Sequence, residues 1–520
     1  MRALLLLLSL ALPLAVAHAG NPTSKLATKV VATGLSFPTH VASPPGDTSR
    51  LVVIQQNGVI LLIKDDVLLP TPFLDISSLI PQEAFNGLLG IAFHPDYDTN
   101  GFFYLHHSTG PDPSDRMTIA RYTVSADPDV ADPISREEIL VLPYPGTPGH
   151  HLGGWIGFGP DGMLYIPLGD GQTTGFETAG GARSQDLASP WGKTLRIDVD
   201  GDDYPGDDDR DFAIPPDNPF VGMGGEEAAW NLGLRQPYRA DFDSETGDFW
   251  ITDVGWQSRE EVEFIPVESP GGENFGWNCS EGTGCFTNLN CSCTLTNITY
   301  PYFEYDHSQG CSIIGGALYR GSVLDNFQGR FFFADWCTNR IWSIREQAGS
   351  TAGLVEHTAE LAPDVGDFTS ILSIAKDGAG EIYITDIDTV YKIVKDPWQN
   401  LGGGTSGSNG LVIAQGEGPL TAGSLNPVSL QNAPPNALLL VWIALNPGPE
   451  FSALAGGTVH AFPFSNQLLF FADASGNFSA ATPWPAGVPS ETNIWFQFFV
   501  DDPGVVWQIT MSNGLLATTP

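Results

Sequence analysis

The 520-residue chain carries 22 Lys and Arg residues against 60 Asp and Glu, for a formal net charge of −38. Such an acidic surface repels phosphate backbones, which argues against nucleic acid as a partner. The chain is longer than one domain of about 100–200 residues, and its many glycines (59) and prolines (41) favour short strands joined by turns.

The first 19 residues have the pattern of a secretory signal peptide. Arg2 precedes an almost wholly apolar run over residues 4–16, and Ala17-His18-Ala19 supplies small residues at the cleavage positions. The alternative is an uncleaved anchor, but this run is shorter than the roughly 20 residues that a membrane span requires. We therefore expect cleavage after Ala19, a secreted or periplasmic protein, and no membrane-spanning segment.

Residues 20–396 repeat one pattern, in which a turn rich in Pro, Asp or Gly precedes a short run of alternating apolar residues. Examples are residues 93–96 before 102–105, 158–162 before 164–166, and 375–378 before 382–384. Turn residues followed by a β-rich run indicate hairpins, and their repetition predicts four-stranded units that close as a β-propeller. Six such units predict an all-β, six-bladed β-propeller. A flat array of β-sandwiches is the alternative.

The first candidate for chemistry in this region is a pair of histidines beside glycines. His150 and His151 precede Leu152-Gly153-Gly154, and Asp170 follows one strand later. A His that faces a carboxylate suits a general base oriented by an acid. The glycines would also let a flat ligand approach the backbone. Adjacent histidines with a structural or metal-binding role are the alternative.

Alternating carboxylates occur at residues 198–203 and continue at residues 207–209. Such oxygens could chelate calcium, but the final Glu of an EF-hand loop is absent. We therefore expect a solvated acidic loop, with calcium chelation as the alternative.

Arg235 lies in a loop between Gly233-Leu234 and Gln236-Pro237. A guanidinium in this setting is placed to hold a carboxylate or a phosphate. A surface salt bridge is the alternative interpretation.

The six cysteines fit an exported protein, because disulfides form in oxidising compartments. They are Cys279, Cys285, Cys291, Cys293, Cys311 and Cys337. A zinc site is the alternative, but Cys-x-Cys without a nearby His is a poor match to zinc-ligand spacing. Six cysteines allow about 15 pairings, so the connectivity stays open.

The composition changes after residue 394. Residues 397–410 are rich in Gly and Ser and predict a flexible linker. Residues 411–520 contain strand patterns separated by turns such as residues 473–476 and 501–504, which predict a small accessory β-sandwich. No cluster of titratable residues assigns chemistry to this module.

A set of motifs in one order resembles the glucose/sorbosone dehydrogenase family, the soluble quinoprotein sugar dehydrogenases. The motifs are GLSFP (34–38), GLLGIAFHP (87–95), HLGG (151–154), LGDG (168–171), GKTLRID (192–198), DNPF (217–220), GLR (233–235), NFGW (274–277) and IIGGALYRG (313–321). They extend over roughly residues 30–395, the region of the repeated strand pattern.

The resemblance implies a six-bladed propeller that uses pyrroloquinoline quinone (PQQ) and calcium. His151 would take the proton from the anomeric hydroxyl of an aldose sugar while hydride passes to the quinone, and Asp170 would orient that His. The carbonyls of Gly255 and Trp256 would hold calcium, a hard ion that prefers oxygen. The cofactor-binding residues would be Arg235, Gln236, Arg320 and Arg340.

The alternative function is a non-catalytic extracellular binding propeller that has lost the cofactor. A propeller hydrolase with a central calcium, such as a lactonase, is a third class, which the HLGG and GLR motifs disfavour. A dehydrogenase would also need an external electron acceptor, which the sequence does not identify.

Overall fold

The computed structural model describes residues 26–80, 87–109, 116–145, 150–171, 180–285, 297–346, 353–363, 367–418, 420, 423–453 and 456–519. These residues form one compact unit over residues 28–393 and a second that includes residues 394–519. The predicted signal peptide, Cys291 and Cys293 lie outside the described residues. None of the helices in the described ranges is long and apolar enough to cross a membrane.

The first unit is built from antiparallel sheets that follow one another along the chain, except that β1 (Leu26–Thr33) belongs to the last of them. The first sheet contains β2 (Pro38–Ala42), β3 (Arg50–Gln55), β4 (Val59–Lys64), β5 (Val67–Leu68) and β6 (Leu74–Asp75). The second contains β7 (Leu88–Phe93), β8 (Phe102–Thr109), β9 (Arg116–Val124) and β10 (Ala131–Pro143). The third contains β11 (Gly157–Phe158), β12 (Leu164–Leu168), β13 (Lys193–Ile197) and β14 (Ala229–Leu232).

The remaining sheets of this unit follow the same plan. The fourth contains β15 (Pro237–Phe242), β16 (Phe249–Asp253), β17 (Arg259–Ile265) and, after the short hairpin of β18 (Ser280–Glu281) and β19 (Gly284–Cys285), β20 (Phe303–Asp306). The fifth contains β21 (Ile313–Leu318), β22 (Arg330–Asp335), β23 (Ile341–Arg345) and β24 (Val355–Glu356). The sixth contains β25 (Ser373–Lys376), β26 (Ile382–Thr385), β27 (Thr389–Lys395) and β1. Short helices are α1 (Tyr97–Asn100), α2 (Gly180–Gln185) and a 3₁₀ turn at Asp325–Phe327.

The first strands of these sheets line a central axis. β2 contacts both β25 and β7, β7 contacts β11, and β21 contacts both β15 and β25, while β12 contacts β15. The six sheets of the described residues therefore succeed one another around a ring, and the predicted all-β propeller fold is confirmed.

Apolar side chains between neighbouring sheets hold the ring together. Tyr104 and Ile119 of the second sheet pack with Leu164, Ile166 and Leu195 of the third in one buried cluster. The middle strand β12 has a continuous, fully buried apolar sequence because both of its faces are covered by adjacent sheets.

The second unit is also all-β. One sheet contains β28 (Trp398–Gly402), β33 (Leu438–Ala444), β36 (Asn466–Phe471), β38 (Asn493–Asp501), β39 (Ile509–Met511) and β40 (Gly514–Thr518). Another contains β31 (Ile413–Gly416), β32 (Leu425–Gln431) and β37 (Phe478–Pro483). The short pairs are β29 (Ser406–Gly407) with β30 (Gly410–Leu411), and β34 (Phe451–Ser452) with β35 (Thr458–Val459). The two larger sheets share a core that includes Leu430, Val441 and Phe498.

Residues 397–410 differ from the predicted linker. Residues 398–402 form β28, which pairs with β40. Trp398 is buried against Leu515 and Ala517, and this apolar contact outweighs the flexibility of the neighbouring glycines. This segment is therefore part of the folded second unit and not a flexible linker before it.

The described cysteines agree with the predicted disulfides. Cys311 is bonded to Cys337, which joins the start of β21 to the turn after β22. Cys279 and Cys285 are also disulfide-bonded. No free cysteine occurs among the described residues.

Three buried carboxyl groups lie on one face of the fourth sheet. Asp253 faces Glu261 across β16 and β17, and Glu263 follows two residues later on the same side. Burial raises the pKa of Asp253 to about 7. Burial together with the charge of Asp253 raises the pKa of Glu261 well above its usual value, and burial together with Glu261 does the same for Glu263.

These groups predict that the protein is more stable at pH 5.5 than at pH 7.5. The folded chain keeps protons that the unfolded chain releases once the pH exceeds the ordinary carboxyl pKa. The free energy of unfolding therefore falls as the pH rises from the ordinary carboxyl pKa towards the raised pKa values of the folded chain. The loss is at most about 1.4 kcal/mol per pH unit for each proton. We expect a higher Tm at pH 5.5 in calorimetry, and a smaller difference for Glu263→Gln. An equal change in Asp98→Asn, which alters an exposed carboxylate, would contradict this explanation.

Candidate active site

The predicted residues His151, Asp170, Arg235 and Gln236 come together at one end of the inner strands, where the third and fourth sheets meet. His151 precedes β11, Asp170 follows β12, and Arg235 and Gln236 precede β15. The backbone N–H of Asp170 donates to the carbonyl of Arg235 at 2.8 Å. Only a glycine fits at position 169, because a Cβ there would lie 2.3 Å from the carbonyl oxygen of His151.

His151 and Asp170 form a hydrogen-bonded pair. Nδ1 of His151 lies 2.7 Å from Oδ1 of Asp170, whose side chain is fully buried. The other carboxylate oxygen accepts the indole N–H of Trp277 at 2.8 Å. Nε2 of His151 has no hydrogen-bond partner among the described residues, and the side chain is 16% exposed.

The electrostatic environment sets the protonation of this pair. Burial, followed by the positive charge of Arg235, lowers the pKa of His151, although Asp170 opposes both effects. Burial alone would raise the pKa of Asp170, but His151, Arg235 and Trp277 outweigh it and hold that pKa below its usual value. At neutral pH, Asp170 is therefore a carboxylate that accepts Nδ1–H, and Nε2 of the neutral imidazole presents a lone pair.

The backbone at His151 is held in an unfavourable conformation. Its φ is +57°, in the left-handed region that residues other than glycine rarely adopt. The N–H of Gly171 donates to the His151 carbonyl at 3.2 Å and helps to fix this turn. Such strain is typical of residues that are positioned for function.

Arg235 is held inside the site and, among the described residues, forms no surface salt bridge. Its Nη1 donates to the carbonyls of Val254 and Gly255 at 2.9 and 2.7 Å. Its guanidinium lies over the Trp277 ring, 5.5 Å from the ring centre. Its Nε is buried and has no hydrogen-bond partner among the described residues.

Gln236 connects the two loops of the site. Its side-chain oxygen accepts the N–H of Gly153 at 3.0 Å. The backbone N–H groups of Arg235 and Gln236 both donate to the carboxylate of Asp253, at 2.9 and 2.6 Å. The position of Arg235 relative to His151 therefore depends on Gln236 and Asp253.

The carbonyl of Gly255, one of the two predicted calcium ligands, already accepts a hydrogen bond from the Arg235 guanidinium. A divalent ion on the same oxygen would lie beside a positive charge. The described residues also contain no group of three or more His, Cys, Asp or Glu that could hold a metal. The acidic loop of residues 198–209 therefore does not form such a group either.

Arg320 lies at the opposite end of the propeller axis. β21 begins near the site, since Glu260 accepts N–H groups from both Gly255 and Ile313. Arg320 follows the other end of that strand, where it pairs with Asp243 and Glu245 at 2.6 and 2.7 Å. It lines a cavity of about 630 Å³ at that end.

Arg340 is also engaged in an ion pair. It follows β22 and pairs with Glu356 at 2.6 Å while its guanidinium lies over the Trp342 ring. Both predicted cofactor cations are therefore engaged by carboxylates, and Arg320 lies at the end of β21 away from the site.

Two residues of the site were missed by the sequence analysis. Trp277 belongs to the quoted NFGW motif, but nothing in the sequence showed that its indole reaches Asp170 across more than a hundred residues. Arg183 donates to the carbonyls of Asp170 and Pro145 at 3.0 and 3.1 Å. Its surroundings in the sequence carry no motif, so no signal could have found it.

The chain resembles known proteins over its propeller. The sequence model for glucose/sorbosone dehydrogenase matches residues 35–394. HIPL2 protein of Arabidopsis thaliana is 29% identical over 455 residues, which cover 72% of this chain and 62% of the plant protein. Hedgehog-interacting protein of Mus musculus is 28% identical over 409 residues, which cover 72% of this chain and 53% of the mouse protein. The chain therefore spans less than two thirds of either relative.

Two solved structures share the fold. The apo-form of the soluble aldose sugar dehydrogenase from Escherichia coli has a TM-score of 0.57 at 19% identity and covers 72% of this chain and 100% of its own. The PQQ-bound form of an aldose sugar dehydrogenase from Streptomyces coelicolor has a TM-score of 0.54 at 22% identity, with the same coverage. Since the family match extends over more than half of the chain and includes the motifs of His151 and Arg235, the chain belongs to the glucose/sorbosone dehydrogenase family.

Proposed function

We propose that this protein is an exported quinoprotein dehydrogenase that oxidises the anomeric hydroxyl of an aldose sugar. The observation that carries the proposal is the neutral His151, whose Nδ1 is held by the buried carboxylate of Asp170 while its Nε2 has no partner in the described part of the chain. This arrangement suits a general base that acts near neutral pH. The family match, and the PQQ-bound relative with the same fold, support PQQ as the cofactor.

The residues at the site fit an anionic cofactor in one respect. PQQ carries three carboxylates, and the buried Nε of Arg235 is an N–H without an acceptor among the described residues. Arg235 would therefore hold an anionic oxygen of PQQ through a charge-assisted bond. Calcium is not part of this proposal, because Gly255 already accepts the same guanidinium.

In the proposed reaction, Nε2 of His151 takes the proton from the anomeric hydroxyl. The imidazolium that forms is stabilised by the carboxylate of Asp170, which Trp277 keeps in place. The hydride that leaves the anomeric carbon would be accepted by PQQ, whose quinone supplies the oxidant when it is bound. Arg235 contributes a second effect, because its charge disfavours a protonated His151 before the substrate arrives.

Reconstitution tests this proposal directly. Purified protein is incubated with PQQ and assayed for dye reduction with a panel of aldoses. We expect PQQ-dependent reduction with at least one sugar. Cofactor binding without turnover on any aldose would contradict the proposed substrate class, and absence of PQQ binding would contradict the whole proposal.

The alternative is an extracellular binding propeller without a cofactor. Two observations favour it: the similarity to Hedgehog-interacting protein, and the ion pairs in which Arg320 and Arg340 are already engaged. Isothermal titration with PQQ separates the two functions. Binding supports the dehydrogenase, whereas absence of binding in a folded protein favours the binding propeller.

A further inference from the structure

One of the two carbonyls predicted to hold calcium, that of Gly255, is engaged by a cation of the chain itself, together with the preceding carbonyl of Val254. Nη1 of Arg235 donates one bond to Val254 and one to Gly255. Since this nitrogen carries two hydrogens, both are used. The planar guanidinium also stacks near Trp277, so it is held by three contacts in one orientation.

The loop that carries these carbonyls is fixed as well. Oε1 of the buried Glu281 accepts four successive backbone N–H groups, those of residues 256–259, at 2.8–3.2 Å. A Cβ at position 255 would lie 1.5 Å from the carbonyl oxygen of Arg259, so the backbone at Gly255 packs directly on another segment. The Gly255 carbonyl can therefore turn to a new ligand only if this loop changes shape.

Calcium and the guanidinium compete for one oxygen. A calcium ion binds oxygen at about 2.3–2.6 Å, while Nη1 lies 2.7 Å from the oxygen of Gly255. The two positive charges would then be close neighbours and would repel each other. Calcium on this oxygen would require Arg235 to move away from its hydrogen bond to Gly255.

We infer that Arg235 takes the place of the divalent cation in this chain, so that the site binds its anionic cofactor without calcium. This inference rests on the proposed function for the identity of that cofactor. In this role the Nη1 group occupies the carbonyls of Val254 and Gly255, and Nε, which has no partner among the described residues, would be the donor to the anion.

Titration with PQQ in the presence of calcium, and again in a chelator, gives the first test. We expect dissociation constants within twofold of each other for the wild-type protein. Arg235→Met should weaken binding at least about tenfold in both buffers, the loss expected for one charge-assisted hydrogen bond. Arg320→Met, the same change at the opposite end of the axis, should leave binding unchanged.

The outcomes separate the inference from the proposed function. Binding that weakens tenfold or more in chelator would overturn the inference and leave the dehydrogenase proposal standing. If PQQ binds in neither buffer, the proposed function fails, and crystals soaked in millimolar calcium decide the inference. A calcium ion on the Gly255 carbonyl would then overturn it, whereas a guanidinium still bonded to that oxygen would support it.

Discussion

Replacing His151 with Ala should lower kcat by about 10²–10⁴-fold, the usual contribution of a general base. Nε2 is the only ring nitrogen of His151 available to substrate, since Nδ1 is bound to Asp170. Affinity for PQQ should stay within twofold, because the proposed anchor of the cofactor is Arg235. Dye reduction gives the rate, and isothermal titration gives the affinity.

His150→Ala is the matched control for this variant, since it removes the same side chain one residue earlier. We expect it to keep most of the wild-type rate, because the backbone carbonyl of His150, which accepts the hydroxyl of Tyr144, is unchanged. Near wild-type turnover in His151→Ala would show that His151 is not the base. A large loss only in His150→Ala would make the neighbouring histidine the candidate.

Changing Asp170 to Asn should have an effect of similar size, on the order of 10²–10⁴-fold in kcat, without removing His151. The amide has the same shape but no charge, and its NH₂ group can donate to Nδ1. The proton of the neutral imidazole would then move to Nε2, and the lone pair needed by the base would be lost. The variant should remain folded and bind PQQ, which circular dichroism and titration would verify.

Trp277→Phe is the control for Asp170→Asn, because it removes one hydrogen bond to the carboxylate and keeps an aromatic ring. We expect a loss of less than about tenfold, since a single hydrogen bond contributes about 0.5–1.5 kcal/mol. In Trp277→Phe the loss of the indole N–H should raise the pKa of Asp170. Equal losses of kcat in Asp170→Asn and Trp277→Phe would mean that the placement of the His151 imidazole matters more than the charge of Asp170.

The sequence predicts the propeller because its signals are local. A turn followed by a short apolar run recurs in every sheet, and each hairpin is decided by residues that are close in the chain. The His151 motif is recognisable for a similar reason, since Gly153, Gly169 and Gly171 mark places where loops approach each other. These features are readable without knowing how the sheets are arranged.

The placement of charges could not be read in this way. Arg320 stands seven residues after Ile313, and only the direction of β21 decides that it falls at the far end of the axis. Trp277 and Arg183 reach Asp170 from distant segments, so their roles depend on the closed ring. The Gly/Ser composition near residue 400 was misleading for a different reason: one buried aromatic, Trp398, orders the whole segment.

The pairing of β1 with β27 joins strands that are synthesised at the beginning and at the end of the propeller. β1 leaves the ribosome first, yet its partner is among the last strands of the unit to appear. Until then the edges of the sixth sheet stay open, and open edges recruit other chains. Any recombinant form that starts after Thr33 would lack the closing strand and leave β27 exposed. Expression trials should therefore place the first residue between the predicted cleavage point and Leu26, so that β1 is complete and can pair with β27.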